Sequence, residues 1–328
     1  MLIDGLQCGH FDRGSFEALS RGNVSCVTVT LGFWEGAIES LDAITHWRDL
    51  VAECADLAEI VRTRQDIEDA NARGKVAVVL GYQNSNLFDG RIRFVELFHE
   101  LGVRVVQLTY NNQNEYGGSC YEPNDSGLSR AGLKMVREMN RVGMLIDLSH
   151  VGDRTSADAI KASHMPVAIT HANPHEIIPH PRNKQRYVLD ALRENNGIIG
   201  CAAYRNITGD EYCKTAEKWC EMVARTVEIV GIDHVGIGTD RSHNTTVKDL
   251  DWMRMGRWSR DIDFGAGSAK KPGKVPPADW FQDVSDLGKI PDALRTVGFN
   301  AEEARKILRD NWLRIYETVF PGERTSTA

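Results

Sequence analysis

The sequence predicts an α/β protein whose eight parallel strands, each followed by a helix, close into a (β/α)8 or TIM barrel. Two observations support this prediction. Short, continuous apolar runs recur eight times along the chain, which is typical of parallel strands buried on both faces. Amphipathic segments separate the runs and are long enough for helices. The 328 residues suffice for one such barrel, and we predict a single domain over 1–328.

The predicted strands, in order, are 2–7, 24–31, 75–80, 103–109, 143–148, 166–170, 197–203 and 234–239. Predicted helical segments between them include 41–74, 129–143 and 214–231; the last two end at glycine, as helix C-caps favour. An open doubly wound sheet is the rival fold. That fold needs a glycine-rich phosphate loop after an early strand, and VLGYQNSN at 79–86 is not one.

Two segments follow the eighth strand. The stretch at about 241–285 is rich in Gly, Pro and Trp with weak periodicity, and we predict a lid over the barrel mouth or a subunit-contact loop. We predict a final helix over residues 300–320. Asn300 is placed to cap its first turn, and Glu303, three residues later, completes a capping box.

Composition excludes several classes of function. The net charge is −7 and no basic block occurs, so we predict no nucleic-acid partner. No apolar run is long enough to cross a bilayer, and a predicted strand follows Met1 at once, so we predict a cytoplasmic protein without a membrane partner. The seven cysteines form no CxxC pair, which fits reduced thiols.

Polar residues at the carboxyl ends of barrel strands are the candidates for a site. His150 and His171 follow consecutive predicted strands at the same height. Neighbouring strands lie about 4.8 Å apart and zinc binds imidazole nitrogen at about 2.0 to 2.1 Å, so the two rings can share one ion. The alternative is that each histidine only hydrogen-bonds a loop.

Two further charged residues are candidates. Asp240 ends the eighth strand, where a carboxylate can bind a metal or accept a proton from water; its alternative is a helix N-cap or an ion pair with Arg241. Arg182, in a loop rich in His and Pro, can bind a substrate carboxylate through its guanidinium fork, or can simply be solvated.

The sequence motifs around these strand ends resemble those of a known family. The motifs, in order, are MLIDG, TLGFWEG, VRVVQLTYNN, MLIDLSH, PVAITHAN, HPRN, GIDHVGIGTD and AEEARKILRDNWLRIYE. Together they are similar to the renal or membrane dipeptidases, a branch of the metal-dependent amidohydrolase barrels. The resemblance implies a two-zinc centre that hydrolyses dipeptides. It also implies that His150 and His171 hold the second metal, that Asp240 is a ligand or proton acceptor, and that Arg182 binds the substrate carboxylate.

The chain departs from the family pattern at four positions. Leu6 and Cys8 stand where the first strand of the family carries His and Asp, Gln83 stands for a bridging Glu, and Tyr110 for a substrate-binding His. A register slip that makes His10 and Asp12 the ligand pair is an alternative, but it moves the end of the first strand out of level with the others.

Charge decides the predicted number of metal ions. Two divalent ions bring four positive charges, which the altered site does not balance, and unbalanced buried charge is costly. We therefore predict one zinc ion held by His150 and His171, with Cys8 or Asp240 as a further ligand and Gln83 as a weak one. Asp240 would accept a proton from water during amide hydrolysis, and Tyr110 and Asn111 would contact the substrate.

The predicted function is metal-dependent hydrolysis of a dipeptide or a similar small carboxylated amide. One alternative is a divergent enzyme that acts on a non-peptide small amide or amine, because fold does not fix the substrate. Another is a barrel that has lost catalysis and serves as a binding protein. The predicted partner is the small-molecule substrate, and the segment at 241–285 also allows a homodimer.

Overall fold

A computed structural model describes residues 1–255 and 273–320. The strands are β1 Leu2–Gly9, β2 Val24–Thr30, β3 Ala58–Ile60, β4 Val76–Tyr82, β5 Val103–Gln107, β6 Leu145–Asp147, β7 Ala168–Ala172, β8 Ile198–Cys201, β9 Val235–Ile237 and β10 Arg241–His243. Strands β1, β2 and β4 to β9 pair in parallel in that order, and β9 pairs with β1. The predicted closed barrel of eight parallel strands is thereby confirmed.

The helices surround the barrel. They are α1 Arg13–Arg21, α2 Ala37–Glu53, α3 Arg64–Ala72, α4 Phe94–Glu100, α5 Arg130–Val142, α6 Asp153–Ala162, α7 Arg186–Glu194, α8 Arg205–Thr208, α9 Ala216–Val230, α10 Val247–Met255, α11 Ile290–Thr296, α12 Ala301–Arg305 and α13 Asn311–Val319. Among the helices of the described ranges, none has the length and apolar character needed to span a bilayer. The predicted capping box of Asn300 and Glu303 is present at the start of α12.

Two short strands, β3 and β10, were not predicted. The predicted helical segment 41–74 is wrong in its middle, because β3 separates α2 from α3. Ala58 and Val61 are buried, and the Val61 backbone N–H donates to the Val78 carbonyl in β4. Burial beside the barrel and this hydrogen bond outweigh the helical periodicity of the local sequence.

The segment at 241–285 is more regular than its composition predicts. It begins with β10, which pairs with β1, and continues into α10. Residues 256–272 of the predicted lid or contact loop lie outside the described residues. Helix α10 contributes Leu250, Met253 and Arg254 to the wall of a cavity at the barrel mouth.

The C-terminal helix α13 packs against the barrel interior. Trp312 is fully buried, and its indole nitrogen donates to the Ile237 carbonyl at 3.0 Å. Two strand glycines leave room for its ring: a Cβ atom at Gly5 would lie 2.3 Å from Trp312, and one at Gly236 would lie 2.5 Å from it. The helix packs with barrel-lining residues that precede the carboxyl ends of the strands, so it leaves those ends open for a site.

Candidate active site

A cavity of about 80 Å³ opens at the carboxyl ends of the barrel strands. Most of the predicted site residues line it, namely Cys8, Gln83, Tyr110, Asn111, His150, Arg182 and Asp240. His171 lies next to this lining and is fully buried. Leu6 is also buried, and it is not part of the lining. The barrel therefore brings residues from six separate stretches of sequence to one place.

His150 and His171 face each other across the ends of β6 and β7. Their Nε2 atoms are 3.1 Å apart. Burial lowers the pKa of both imidazoles well below the usual value of 6.5, and the nearby Arg182 guanidinium lowers it further. Both rings are therefore neutral, which is the form of imidazole that binds a metal ion.

The hydrogen bonds of His150 determine which of its ring nitrogens carries the proton. Its Nδ1 atom lies 2.6 Å from Oδ1 of Asn111. The amide nitrogen of Asn111 points the other way, 3.4 Å from the Met253 carbonyl, which orients the amide. An amide oxygen only accepts hydrogen bonds, so Nδ1 of His150 donates to it. The lone pair of Nε2 is then directed at His171.

A second chain of hydrogen bonds acts on His171. Its Nδ1 atom lies 2.8 Å from the Thr170 hydroxyl, and that hydroxyl donates to Oδ2 of Asp147 at 2.8 Å. The Asp147 carboxylate also accepts from the backbone and side chain of Ser149. Because the single Thr170 proton goes to Asp147, Nδ1 of His171 must donate, and its Nε2 lone pair faces that of His150.

Two lone pairs that face each other at this distance repel unless a cation lies between them. The imidazole pair therefore fits one metal ion, with each ring oriented through its other nitrogen, as is usual for metal-binding histidines. A third protein ligand is not assembled: within residues 1–255 and 273–320, no group of three or more His, Cys, Asp or Glu side chains is arranged to hold an ion. Further ligation by Cys8, Asp240 or Gln83, which all line the same cavity, stays a prediction.

Cys8 and Gln83 are each engaged elsewhere. The Cys8 sulfur lies 3.1 Å from the Ser242 hydroxyl. Burial and the neighbouring Asp240 raise the pKa of the Cys8 thiol to about 12, so the thiol stays protonated. The Gln83 side-chain amide donates to the Thr30 hydroxyl at 2.9 Å. Both groups are neutral, and the donors near β1 do not fit a second divalent ion.

The register alternative for the first strand is not what the structure shows. Strand β1 ends at Gly9, so His10 and Asp12 lie beyond it. The His10 side chain is 65% exposed and pairs with Asp249 at 3.1 Å. Asp12 is the N-cap of α1, where its side chain accepts from the Ser15 backbone. The two residues are therefore not a ligand pair.

The sequence analysis missed a buried hydrogen-bond network inside β1. The Asp4 carboxylate accepts from the Gln7 amide at 2.7 Å and from the Thr239 hydroxyl at 2.5 Å. The Gln7 oxygen lies 2.7 Å from Nε2 of His243, and burial lowers the pKa of His243 to about 4. Every residue from Leu2 to Cys8 is buried. The strand therefore has no alternation of buried and exposed positions that could have marked Asp4 and Gln7 as members of a buried network.

Asp240 occupies a strained backbone position at the end of β9. Its φ is 58°, in the left-handed region that few residues other than glycine adopt. Burial raises the pKa of its carboxyl group to about 7, against the opposing effect of Arg182. The alternative ion pair with Arg241 is not formed, since that guanidinium donates to the Phe281 and Gln282 carbonyls.

Arg182 is buried, with 3% of its surface exposed, and is not a solvated loop residue. Its guanidinium donates to the Ser149 carbonyl and, at 3.1 Å, to the His171 carbonyl. The side chain thereby connects the ends of β6 and β7, which carry the two histidines. The same guanidinium also lines the cavity, and it has five N–H donors in all.

Tyr110 packs directly on His150. Its ring centroid lies 4.2 Å from that of His150, and Phe33 and Trp34 pack on its other sides. Burial raises the pKa of the Tyr110 hydroxyl well above 10, so it stays protonated as a hydrogen-bond donor. The aromatic cluster excludes water around His150.

The sequence analysis also missed the cavity residues that come from β10, from α10 and from the loops after β5 and β8. These are Tyr121, Tyr204, Ser242, Leu250, Met253 and Arg254. Helix α10 is held over the mouth by two indole contacts. The Trp34 indole donates to the Trp252 carbonyl at 3.0 Å, and the Trp252 indole donates to the Glu35 carboxylate at 2.8 Å. The tryptophans in WEG and DWMRM are the sequence signal for this contact.

A parallel eight-stranded barrel with facing imidazoles at adjacent strand ends belongs to the class of metal-dependent barrel hydrolases. Residues 24–254 match the model of the membrane dipeptidase family, peptidase family M19. The chain belongs to this family, and the resemblance drawn from its sequence motifs is confirmed.

Three similar proteins illustrate the relationship. Dipeptidase tcpJ of Claviceps purpurea is 35% identical over 268 residues, which cover 81% of this chain and 56% of that protein. This chain thus spans little more than half the length of that relative. The structure of an amidohydrolase from Pseudomonas aeruginosa is 33% identical, with a TM-score of 0.92 and coverage of 98% of this chain and 96% of that one.

The third is a metallopeptidase from Rhodobacter sphaeroides, solved with a phosphinate mimic of the dipeptide L-Ala-D-Ala. It has a TM-score of 0.79 at 18% identity and covers 97% of this chain and 99% of its own. At that identity the likeness shows the fold alone.

Proposed function

We propose that this protein is a metal-dependent hydrolase that cleaves the amide bond of a dipeptide or of a similar small carboxylated amide. The observation that carries the proposal is the pair of Nε2 atoms 3.1 Å apart, each with its proton drawn to the far side of the ring. A binding protein without catalysis has no need of two neutral imidazoles directed at one point. Family membership supports the same activity.

One metal ion fits this site better than two. His150 and His171 would hold it, while Leu6, Cys8 and Gln83 supply no negative charge for a second ion. A bound zinc ion would polarise the amide carbonyl and make water more acidic. The remaining open positions of a two-histidine site are available to water and substrate.

The residues of the chain would share the remaining tasks. Arg182 would bind the substrate carboxylate, because its guanidinium lines the cavity and charge-assisted bonds to carboxylates are strong. Asp240 would accept a proton from the attacking water, since a base with a pKa near 7 suits work at neutral pH. The Tyr110 hydroxyl would donate a hydrogen bond to the substrate oxygen, and Asn111 would keep His150 in the required tautomer.

The test combines metal content with turnover. We expect protein purified without chelator to hold about one equivalent of metal by elemental analysis, and to hydrolyse members of a panel of L,L and L,D dipeptides with added zinc. His150→Ala should lose both metal and activity. His10→Ala removes an exposed histidine and serves as the matched control, with both properties unchanged. Metal-free protein, or metal that survives His150→Ala, contradicts the proposal.

A divergent substrate is the second candidate. The neutral groups Cys8, Gln83 and Tyr110 line the cavity in place of the charged or basic groups of the resemblance, which favours a substrate other than a simple dipeptide. Bound metal without turnover of any dipeptide in the panel would support this candidate. A cytoplasmic location and a homodimer remain predictions, which cell fractionation and light scattering can test.

A further inference from the structure

Lys184 is a buried lysine that the proposed reaction does not use. Its side chain is 1% exposed, and the described lining of the cavity does not include it. Burial lowers the pKa of its ammonium group to about 8, so the group is still mostly charged at pH 7. Burying a charge and ordering a long side chain both oppose folding. Its contact with the Ser156 hydroxyl of α6, at 3.5 Å, is long, and its short contact is with a backbone carbonyl.

The ammonium group of Lys184 holds the backbone next to the first imidazole. It donates to the carbonyl of Val151, the residue after His150. Arg182, two residues earlier in the same loop, donates to the carbonyl of Ser149, the residue before His150. The two cationic side chains thus bind the carbonyls on both sides of the histidine. A charged donor forms a stronger hydrogen bond than a neutral one, so both peptide groups are fixed in orientation.

The backbone of Lys184 is joined to the segment that follows the second imidazole. Its N–H group donates to the Asn173 carbonyl at 3.0 Å, and its carbonyl accepts from the His175 N–H group at 2.9 Å. Asn173 and His175 come two and four residues after His171. Lys184 therefore bridges the two histidine segments, because its side chain holds the first and its backbone is held by the second.

We propose that Lys184 is a positioning residue of the metal site, which keeps His150 and His171 at the separation and orientation that one shared ion requires. This inference rests on the metal site of the proposed function. The ammonium group acts on His150 through the Val151 carbonyl, without touching the ion or the substrate. Its charge alone would repel a cation, and after burial and Arg182 it is a further cause of the low pKa of both imidazoles. Its favourable contribution must therefore come from the hydrogen bond and from the geometry that this bond imposes.

The test uses Co²⁺, whose visible absorption spectrum reports the arrangement of its ligands. Lys184→Met keeps the length of the side chain and removes the donor. We expect the variant to bind Co²⁺ roughly tenfold to a hundredfold more weakly than the wild type, the usual cost of removing a group that orients a metal ligand. At saturating Co²⁺ its absorption maximum should also shift. In the zinc-loaded enzyme, kcat should fall by a similar factor while KM stays within about threefold.

Two controls separate positioning from stability. Lys161→Met removes an exposed lysine from α6 and should leave the affinity and the spectrum unchanged. Met222→Ala opens a cavity at a buried position of α9 and should lower the melting temperature without moving the spectrum. Lys184→Gln, which is shorter and also uncharged, repeats the test in the event that the methionine variant does not fold.

Metal binding separates this inference from the proposed function because it needs no hydrolysis. Weaker Co²⁺ binding with a shifted spectrum in Lys184→Met supports the inference, even where the wild type cleaves no dipeptide and the proposed activity fails. Equal or tighter Co²⁺ binding, or an unshifted spectrum, overturns the inference and leaves the proposed function standing.

Discussion

Asp240 combines a strained backbone with a carboxyl group that burial makes weakly acidic. An acid whose pKa is raised by folding loses its proton in the unfolded chain first, so ionisation opposes folding as the pH rises from about 4 to about 7. Asp240 therefore costs stability at neutral pH. Such a cost is typical of a residue that is retained for function.

Asp240→Asn should change activity and stability in opposite directions. We expect kcat to fall by about 100-fold or more, because the proposed proton acceptor is lost. In chelator-treated protein, the melting temperature of the variant should exceed that of the wild type by several degrees at pH 8, and the gap should shrink as the pH falls from about 7 to about 4. Thermal unfolding across this pH range measures this gap, with Asp251→Asn, at an exposed position of α10, as the control. A gap independent of pH would contradict the prediction.

The candidate residues could be selected from sequence, but their hydrogen bonds could not. His150 and His171 each follow an apolar run, and the change from apolar to polar residues marks the end of a strand in the sequence. Asn111 and the Thr170–Asp147 pair orient the two histidines, and only the folded barrel brings these groups into hydrogen-bonding distance. The same limit applies to Cys8, whose role as a metal ligand stays a prediction. Whether its thiol meets a metal or the Ser242 hydroxyl depends on β10, a strand without a periodic signal.

Helix α10 is the element that determines how far the site is open. It contributes part of the cavity wall and contacts the loop after β2 through Trp34, Glu35 and Trp252. The free volume of about 80 Å³ is well below the roughly 300 Å³ of common small-molecule sites. A dipeptide, the proposed substrate, is therefore larger than this cavity, and the Trp252 indole contact holds α10 in its position at the mouth.

Trp252→Phe should loosen α10 without emptying the space beneath it. The phenyl ring keeps most of the packing, but the N–H group that donates to Glu35 is lost. A hydrogen bond to a charged group contributes about 1.5 to 3 kcal/mol, so amide exchange in α10 should become at least tenfold faster.

Hydrogen–deuterium exchange with mass spectrometry measures this effect. Trp280→Phe is the matched control, because the Trp280 indole nitrogen is buried without a hydrogen-bond partner in the described part of the chain. Equal exchange of α10 in both variants would show that the indole contact does not hold the helix.

The elements that were predicted correctly are those whose formation depends on residues close together in the sequence. The Asn300 cap and the eight apolar runs depend on neighbours in sequence. Strand β3 and helix α10 were missed because their stability comes from distant partners, namely β4 for the strand and the Trp34 region for the helix. Local periodicity cannot report such contacts.

At the scale of the whole molecule, α13 ties the C-terminal part of the chain to the first strand. Trp312 fits against Gly5 and Gly236, two positions without a side chain. The ring also packs in the same buried apolar cluster as Ile3 of β1. The end of the sequence thereby stabilises the strand from which the site begins.

Gly5→Ala should destabilise the protein by about 1 to 3 kcal/mol, the usual cost of overpacking a core. Its new methyl group would lie 2.3 Å from the Trp312 ring, and the ring is enclosed. Gly14→Ala is the control, because its methyl group would meet only an atom 3.4 Å away near the start of α1. Chemical denaturation followed by tryptophan fluorescence gives both values, and equal stability of the two variants would refute the tight fit.

Arg182 also joins two neighbouring strands of the barrel, since it holds the backbone carbonyls of Ser149 and His171 while its guanidinium faces the cavity. The residue proposed to bind the substrate carboxylate thus also contacts the backbone of both strand ends that carry the two imidazole rings. Any replacement at position 182 would damage recognition and geometry together, so slow turnover in such a variant could not be assigned to weak substrate capture alone.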